Sequence, residues 1–496
     1  MTEGLMAEPY DLLIAGGGIN GCAIAREAAL LGLRVLLVER DDIASHTSSA
    51  STKLIHGGLR YLEYYDFRLV AEALRERERL LRAAPHIIRP LRFVLPQENS
   101  LRPWWMIRLG LYLYDWLGGK ISLPRSRGLR RTDTAYTAPL KGGSSGFVYS
   151  DAQVDDSRLT LLNAMDAAAN GADIRTCVAL ESAQRRDGLW HATLSDGSDV
   201  AARALVNAAG PWVHLLLDRL GLAGRANVRL VKGSHIVVPK LYDGDHAYML
   251  QMPDRRIIFA IPWQGATEIG TTDIPVERPE DAVITDDEIR YLCDGVNQHF
   301  VRQVAPGDVI GSWSGVRPLY DDGASEAKAV TRDYVLELDG AKDSGAAPLL
   351  SVFGGKITTG RHLAEEALAK LAPALGITAR PITRARVFPG GAIDDFDAFL
   401  ARVRATWPFL GEARSARMAH AYGSMLGEML AGVGDEAALG ANLGGGITEV
   451  EARWMMTREW ARTADDALDR RSKVGLALTP DQRTAFTTAW NGLASP

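Results

Sequence analysis

The chain has 496 residues, 47% hydrophobic and 24% charged, which is ordinary composition for two or three packed globular units. A formal net charge of −5 leaves no global basic field, which excludes a nucleic-acid partner, so any cationic site has to be built locally. Three cysteines, Cys22, Cys177 and Cys293, are too few and too scattered for a disulfide framework or a metal cluster and fit a reducing compartment; neither a secretory leader nor an apolar run of about 18 residues is visible, so a cytoplasmic protein is expected.

The first forty residues read as a strand–helix–strand unit. Residues 12–15 are a short apolar run suited to a buried parallel strand. Gly16, Gly18 and Gly21 follow at the spacing of a dinucleotide-binding turn, then a helix ended by Gly32, then a strand over 35–38 closed by Glu39. The glycines allow a tight turn, close approach of a pyrophosphate and close helix–strand packing. The helix N-terminus offers unpaired N–H groups to phosphate, and Glu39 can accept from a ribose diol.

Residues 49–67, SASTKLIHGGLRYLEYYDF, gather Lys53, His56, Arg60 and Tyr61 around the pair Gly57-Gly58. Ser49, Ser51 and Thr52 can hydrogen-bond cofactor oxygens, and the glycine pair would let backbone press against a flat ring. An unperturbed histidine titrates near neutrality, so His56, or His235 in KGSHIVVP, could serve as a general base. Arg60 and Lys356 could steady an alkoxide, and Lys356 could instead support a negatively charged reduced flavin.

Residues 102–131 run from aromatic and aliphatic to basic, with Arg125, Arg127, Arg130 and Arg131 clustered. This suits either an interfacial helix on anionic lipid or a core helix followed by a solvated basic loop. Residues 202–217 form a strand ending at Ala209-Gly210 and then a helix. Residues 256–275 alternate through strands of an antiparallel sheet, with Thr272 at a strand end near the cleft. Residues 347–368 form a strand, then Gly354-Gly355, then a helix starting near Thr358, whose N-terminus would face the flavin edge where charge gathers on reduction. Together with the first unit, the two strand–turn–helix segments favour FAD over NAD. Arg317 in GVRPL, between a glycine and Pro318, is the first candidate for a phosphate fork, and Arg332 is the second. Near the C-terminus, Thr448 with Glu451 has the spacing of a capping box.

The segments AGGGINGCAIAREAALLGLRVLLVE, SSASTKLIHGGLRYLE, KGSHIVVP, IGTTD, GVRPL and FGGKITTGR occur in this order between residues 12 and 361, and the tail beginning GITEVEARWMMTREWAR follows. In this combination the chain resembles the FAD-dependent glycerol-3-phosphate dehydrogenases, respiratory enzymes that pass electrons to quinone. The resemblance implies oxidation of sn-glycerol 3-phosphate to dihydroxyacetone phosphate, with hydride leaving C2 for flavin N5 and the flavin reoxidised by ubiquinone or a related quinone. It implies an α/β plus β fold: an FAD-binding Rossmann-like domain of the glutathione-reductase and D-amino-acid-oxidase type, an antiparallel-sheet substrate domain and a C-terminal helical domain. The corresponding boundaries are 1–85, 150–225 and 330–385 for the first, 86–149 and 226–329 for the second, and 386–496 for the third.

On this reading the flavin, held non-covalently, is contacted by Gly16, Gly18, Ile19, Asn20, Gly21, Glu39, Arg40, Ser49, Ser51, Thr52, Lys53, His56, Gly57, Gly58, Val178, Ala209, Gly210, Gly354, Gly355, Lys356, Ile357 and Thr358. The substrate is contacted by Arg317, Arg332, Tyr61 and Thr272, with His56, Arg60, Lys356 and His235 as the reacting set. The expected partners are the inner face of the cytoplasmic membrane, reached peripherally, and possible second copies of the chain as a homodimer. Rival readings are an oxygen-dependent glycerophosphate oxidase, an amine or amino-acid oxidase of the same fold, and a non-catalytic nucleotide-binding regulator.

Overall fold

The computed structural model describes residues 8–97, 102–142, 145–222, 227–321, 333–340 and 345–494. Strand Tyr10–Ala15 pairs in parallel with Val35–Glu39 on one side and Asp199–Asn207 on the other. Its apolar run is buried because both faces of the sheet are covered. Asp173–Thr176 extends the parallel sheet beyond Val35–Glu39, and Leu349–Phe353 extends it beyond Asp199–Asn207. Val335–Asp339 closes one edge in antiparallel fashion, and the hairpin Leu180–Arg186 with Leu189–Leu194 pairs onto Asp199–Asn207.

Helices Ile19–Leu30, Asp156–Ala169 and Gly360–Leu375 share one core against this sheet. Their facing residues are small: Ala25, Ala28, Ala164, Ala167, Ala364 and Ala367 are all within 1% of full burial. Small residues let the helix axes approach closely, which draws the two glycine-rich turns together at the carboxyl edge of the strands.

The second sheet runs Ile274–Val276, Asn227–Pro239, Ala266–Gly270, Ile257–Trp263, Ala247–Gln251, Ile88–Pro96, Gly146–Val154, Leu54–Ile55, with Gly311–Asp321 on the far side of Asn227–Pro239. It is mainly antiparallel, but Ala247–Gln251 meets Ile88–Pro96 in parallel. Strands Leu54–Ile55 and residues 150–154 of Gly146–Val154 lie in segments expected with the cofactor part, yet they pair into this sheet. The segment carrying His56 therefore passes from one sheet to the other. Helix Asp286–His299 covers the outer face through Leu292, Cys293 and Val296, which leaves the inner face to the cleft.

The C-terminal unit packs helices Phe396–Thr406, Gly411–Tyr422, Glu449–Arg458 and Pro480–Ala494 around Met418, Tyr422, Leu468, Phe486 and Trp490. The capping box expected at Thr448 does not form. The Thr448 side chain makes no cap hydrogen bond, and Glu451, fully buried, takes both Arg417 nitrogens at 2.6 and 2.7 Å and the Tyr422 hydroxyl at 2.8 Å. A two-pronged guanidinium competes for a carboxylate more strongly than a backbone N–H does. Buried ion pairs fasten this unit to the cofactor sheet. Arg158 holds Glu459 through two 3.0 Å bonds with both side chains at 0% exposure, and Arg471 holds Asp42 at 2.6 and 2.7 Å.

Candidate active site

The turn after the first strand is built around missing side chains. A Cβ on Gly21 would stand 1.9 Å from the Gly16 carbonyl oxygen, and one on Gly16 would stand 2.4 Å from that of Ala208. The first helix is thus seated on the turn itself, and its amino end opens into a cavity of about 390 Å3. Gly16, Gly18, Ile19, Asn20, Glu39, Arg40, Ala209, Gly210, Gly354 and Gly355 line this cavity, as expected from the sequence. Asn20 joins the two glycine-rich turns by donating to the Gly354 carbonyl at 3.0 Å. Glu39 accepts from the N–H groups of Gly17 at 2.6 Å and Asp41 at 2.9 Å, so its carboxylate braces the turn as well as facing the cavity.

Sequence reasoning missed several walls. Ser48 accepts from Ile19 N–H at 2.9 Å at the helix amino end, and Thr47 lies beside it. Trp212 closes the far end, with Arg40 over its ring at 4.1 Å and His46 against it at 4.6 Å. The run HTSS at residues 46–49 was the only local signal, and nothing in it separates Ser48 from Ser49.

A second cavity, about 160 Å3, is lined by Thr52, His56, Gly58, Arg60, Tyr61, Thr272 and Arg317, together with Asp151, Arg256, Asp273 and the aromatic rings of Phe93, Tyr149 and Phe259. The two cavities share segments. Thr47 and Ser48 face the first while Thr52 and His56 face the second, and Pro318 faces the first while Arg317 faces the second. A long ligand with a diphosphate at one end and a flat ring at the other fits this pair. The glycine cradle, the helix amino end facing the first cavity and the aromatic second chamber are the observations that fit FAD.

Several expected contacts have other work. Ser49 donates to the His46 carbonyl and Ser51 to Asp156, and neither lines a cavity. Lys53 is buried in an ion pair with Asp156 at 3.1 Å, since a buried ammonium requires a counter-charge. Val178 is core, one residue before the lining Ala179. Ile357 packs on the core between the sheets, and the Thr358 hydroxyl accepts from His56 N–H at 3.4 Å. The Thr272 hydroxyl is engaged on both sides, donating to Glu288 at 2.8 Å and accepting from Ser234 N–H at 2.9 Å, and its carbonyl accepts from Thr271 at 3.1 Å. Arg332 lies outside the described residues.

The glycine pair also has a packing reason of its own. A Cβ on Gly57 would meet Leu74 Cδ2 at 2.5 Å and the Tyr114 hydroxyl at 2.8 Å, and Gly58 has φ 73° with the Tyr61 ring against it. Protein packing, before any flavin, requires both residues. Gly57 N–H donates to Tyr114 at 2.7 Å, and Tyr114 donates to Asp151, which Arg77 also holds at 2.7 Å. This buried chain fixes the loop that presents His56.

The two histidines differ. His56 Nδ1 accepts from Gly58 N–H at 3.0 Å, so in the neutral ring Nε2 carries the proton and can only donate. Burial, with Lys356 and Arg77 nearby, lowers its pKa against the pull of Asp151. His235 lies over Gly270, where a Cβ would stand 2.0 Å from its ring, and stacks on Trp313 at 5.5 Å. Its Nε2 is 2.9 Å from the Thr52 hydroxyl, and burial, then Lys53 and Arg317, push its pKa down to about 3. Arg317 donates to Asp273 at 3.1 Å and Lys356 sits over the Tyr61 ring at 4.2 Å. Arg60, Arg256 and Arg317 all line the small chamber, as do Asp151 and Asp273, but the Arg256 guanidinium is held by Asp254 at 2.6 Å over the Tyr291 ring, and Arg60 donates to the Arg255 carbonyl at 3.3 Å.

A family model described as FAD dependent oxidoreductase matches residues 11–361. A glycerol-3-phosphate dehydrogenase of Pseudomonas aeruginosa is 50% identical over 487 residues, covering 96% of this chain and 94% of that protein. A D-erythritol 1-phosphate dehydrogenase of Brucella abortus is 47% identical, covering 97% and 98%. The crystal structure of glycerol-3-phosphate dehydrogenase from Bacillus halodurans complexed with FAD superposes with a TM-score of 0.71 at 26% identity, covering 99% of this chain and 95% of that one. The cradle, the paired chambers and these likenesses agree, and the chain belongs to the family of FAD-dependent oxidoreductases.

Proposed function

We infer that the protein oxidises sn-glycerol 3-phosphate to dihydroxyacetone phosphate, with FAD as the resident cofactor and a membrane quinone as the final acceptor. The observation that carries the substrate class is Arg317, with Arg60 beside it, lining a chamber of about 160 Å3. A guanidinium fork in so small a volume suits a phosphate dianion, and a short carbon chain fills what remains. Two relatives that act on phosphorylated polyols, one of three carbons and one of four, support the same class.

FAD, when bound, supplies the acceptor for the hydride leaving C2. Residues of the chain do the rest. Arg317 gives up Asp273 for the phosphate, whose two charges compete better for the fork than one carboxylate does. Gly16, Gly18 and the helix amino end hold the diphosphate. His56 Nε2–H donates toward the substrate oxygen and Lys356 adds positive charge beside it, so the hydroxyl proton is more easily lost. His235, a neutral imidazole 2.9 Å from the chamber residue Thr52, is placed to accept that proton through it.

Quinone reduction needs a lipid-facing surface, and helix Trp104–Leu117 supplies one. Trp105 is 62% exposed, with Trp104, Met106, Leu109, Tyr112 and Trp116 also outward, whereas a core helix would bury them. Arg125 stacks on Trp116 at 3.8 Å, which puts a cation beside the aromatic face. No helix among the described residues is long and apolar enough to cross a membrane, so contact would be from one side. Arg127 is bound at 2.6 and 3.0 Å to Asp133 and contributes less to lipid binding than Arg125, Arg130 and Arg131.

The deciding experiment is anaerobic addition of glycerol 3-phosphate to the yellow holoenzyme, followed by a soluble quinone. Bleaching and then recolouring on quinone supports the reading. Bleaching reversed only by oxygen, with peroxide released, assigns an oxidase. Bleaching by D-erythritol 1-phosphate but not by glycerol 3-phosphate moves the substrate to four carbons.

A further inference from the structure

Behind the substrate chamber, around His235, lie buried polar groups that the reaction scheme so far leaves without a task. Strand Ala266–Gly270 is central in its sheet, between Asn227–Pro239 and Ile257–Trp263. Along it Glu268 is one pleat step from Gly270 and faces the same way, toward His235 rather than toward the outer helix. Its side chain is fully buried and both oxygens lack a hydrogen-bond partner; Oε1 is 3.8 Å from His235 Nε2. His235 Nδ1 and Trp313 Nε1 are unpartnered as well. A buried carboxyl with nothing bound costs stability unless it is neutral or has a task.

We propose that Glu268 is a positioning residue for proton removal: Thr52 passes the substrate's hydroxyl proton to His235 Nε2, and the Glu268 carboxylate holds the resulting imidazolium. The reading rests on the proposed function. As the substrate O–H bond breaks, a new O–H bond forms on Thr52, whose own proton moves to Nε2. The electron pair of the C2–H bond leaves separately with the hydride. Without Glu268 the cation on His235 would face Lys53 from the preceding loop and Arg317 from the neighbouring strand, with Asp156 of helix Asp156–Ala169 already committed to Lys53 and close to Lys473. The rings of Trp263 and Trp313 lie against Lys53, which keeps water from screening these charges. Burial pushes the Glu268 carboxyl up to about 8, Lys53 lowering it and Asp156 raising it. The Glu268–His235 pair therefore holds one proton at neutral pH and is ready to take one from substrate only as that proton leaves.

The variant that tests this is Glu268→Gln, which keeps size and shape. In wild type, kcat/KM for glycerol 3-phosphate should rise about tenfold per pH unit on the approach to pH 8. In E268Q that rise should disappear above about pH 6, with kcat about 10²-fold lower at the alkaline plateau. A carboxyl with a merely structural task would scale the profile down without changing its shape, and that result would overturn the proposal. A second measurement needs no turnover. A carboxyl whose folded pKa is raised stabilises the native state below its unfolded pKa, and this advantage is lost as pH rises through the folded value. The holoenzyme Tm of E268Q should therefore gain on wild type between about pH 5 and about pH 8. Parallel Tm curves would also overturn the proposal. A wild type inert toward glycerol 3-phosphate whose Tm curves nonetheless separate would mean that the substrate assignment, not the carboxyl's charge state, has failed.

Discussion

The Arg158–Glu459 pair offers the sharpest quantitative test of how the C-terminal unit supports the cofactor sheet. Both side chains are at 0% exposure, both oxygens of Glu459 are taken by the guanidinium at 3.0 Å, and Trp454 Nε1 donates to the same carboxylate at 3.2 Å. Replacing Arg158 by Met leaves a buried carboxylate with one neutral donor, which should cost about 3–5 kcal/mol. Replacing Glu459 by Leu leaves the guanidinium over the Tyr422 ring at 4.8 Å without its hydrogen-bonded counter-charge, at a similar cost. The double variant removes both charges and should lie within about 2 kcal/mol of wild type, giving a coupling energy above about 3 kcal/mol. Urea unfolding of the four proteins, followed by far-UV circular dichroism, measures the cycle. Because Arg158 is on helix Asp156–Ala169, which packs on the cofactor-binding helix, the single variants should also release flavin at lower urea. Single losses below about 1 kcal/mol, or losses that simply add, would refute the claim that a desolvated charge pair joins the two units.

Arg317→Ala should raise KM for glycerol 3-phosphate about 100-fold, corresponding to about 3 kcal/mol for a lost bidentate fork, and steady-state kinetics in which KM stays put would remove Arg317 from the phosphate site. Gly21→Ala, whose new methyl has only 1.9 Å to the Gly16 carbonyl, should yield protein depleted of flavin, read from the visible spectrum of the purified material. The double variant Trp105→Ser, Trp116→Ser should weaken co-sedimentation with anionic liposomes by at least about tenfold, since each exposed indole withdraws about 2 kcal/mol of apolar surface from water on insertion. Neutralising Arg125, Arg130 and Arg131 should reduce the salt dependence of that binding, whereas salt-independent binding by wild type would remove the electrostatic contribution.

The sequence by itself determined the first nucleotide-binding unit, because everything it needs is local. An apolar run, glycines at set spacing, a small-residue helix and a second apolar run fix one another within thirty residues. It also marked Arg317, His56 and His235 as chemically distinctive, and the exposed aromatic helix could be read as interfacial before its exposure was known. Tertiary structure alone decided which polar groups are free to react. Ser51, Lys53 and Thr272 look like ligand contacts in one dimension, but Asp156 and Glu288, more than fifteen residues away in every case, take up their hydrogen bonds. The Thr448–Glu451 box failed for the same reason, with Arg417 as the stronger claimant. Asp151 and Glu268 carry no motif; they matter because the fold of the second sheet brings their strands to the cleft side, away from the outer helix. A hydrogen bond or a buried charge is settled by which groups share a volume from which water is excluded, and spacing along the chain does not encode that volume.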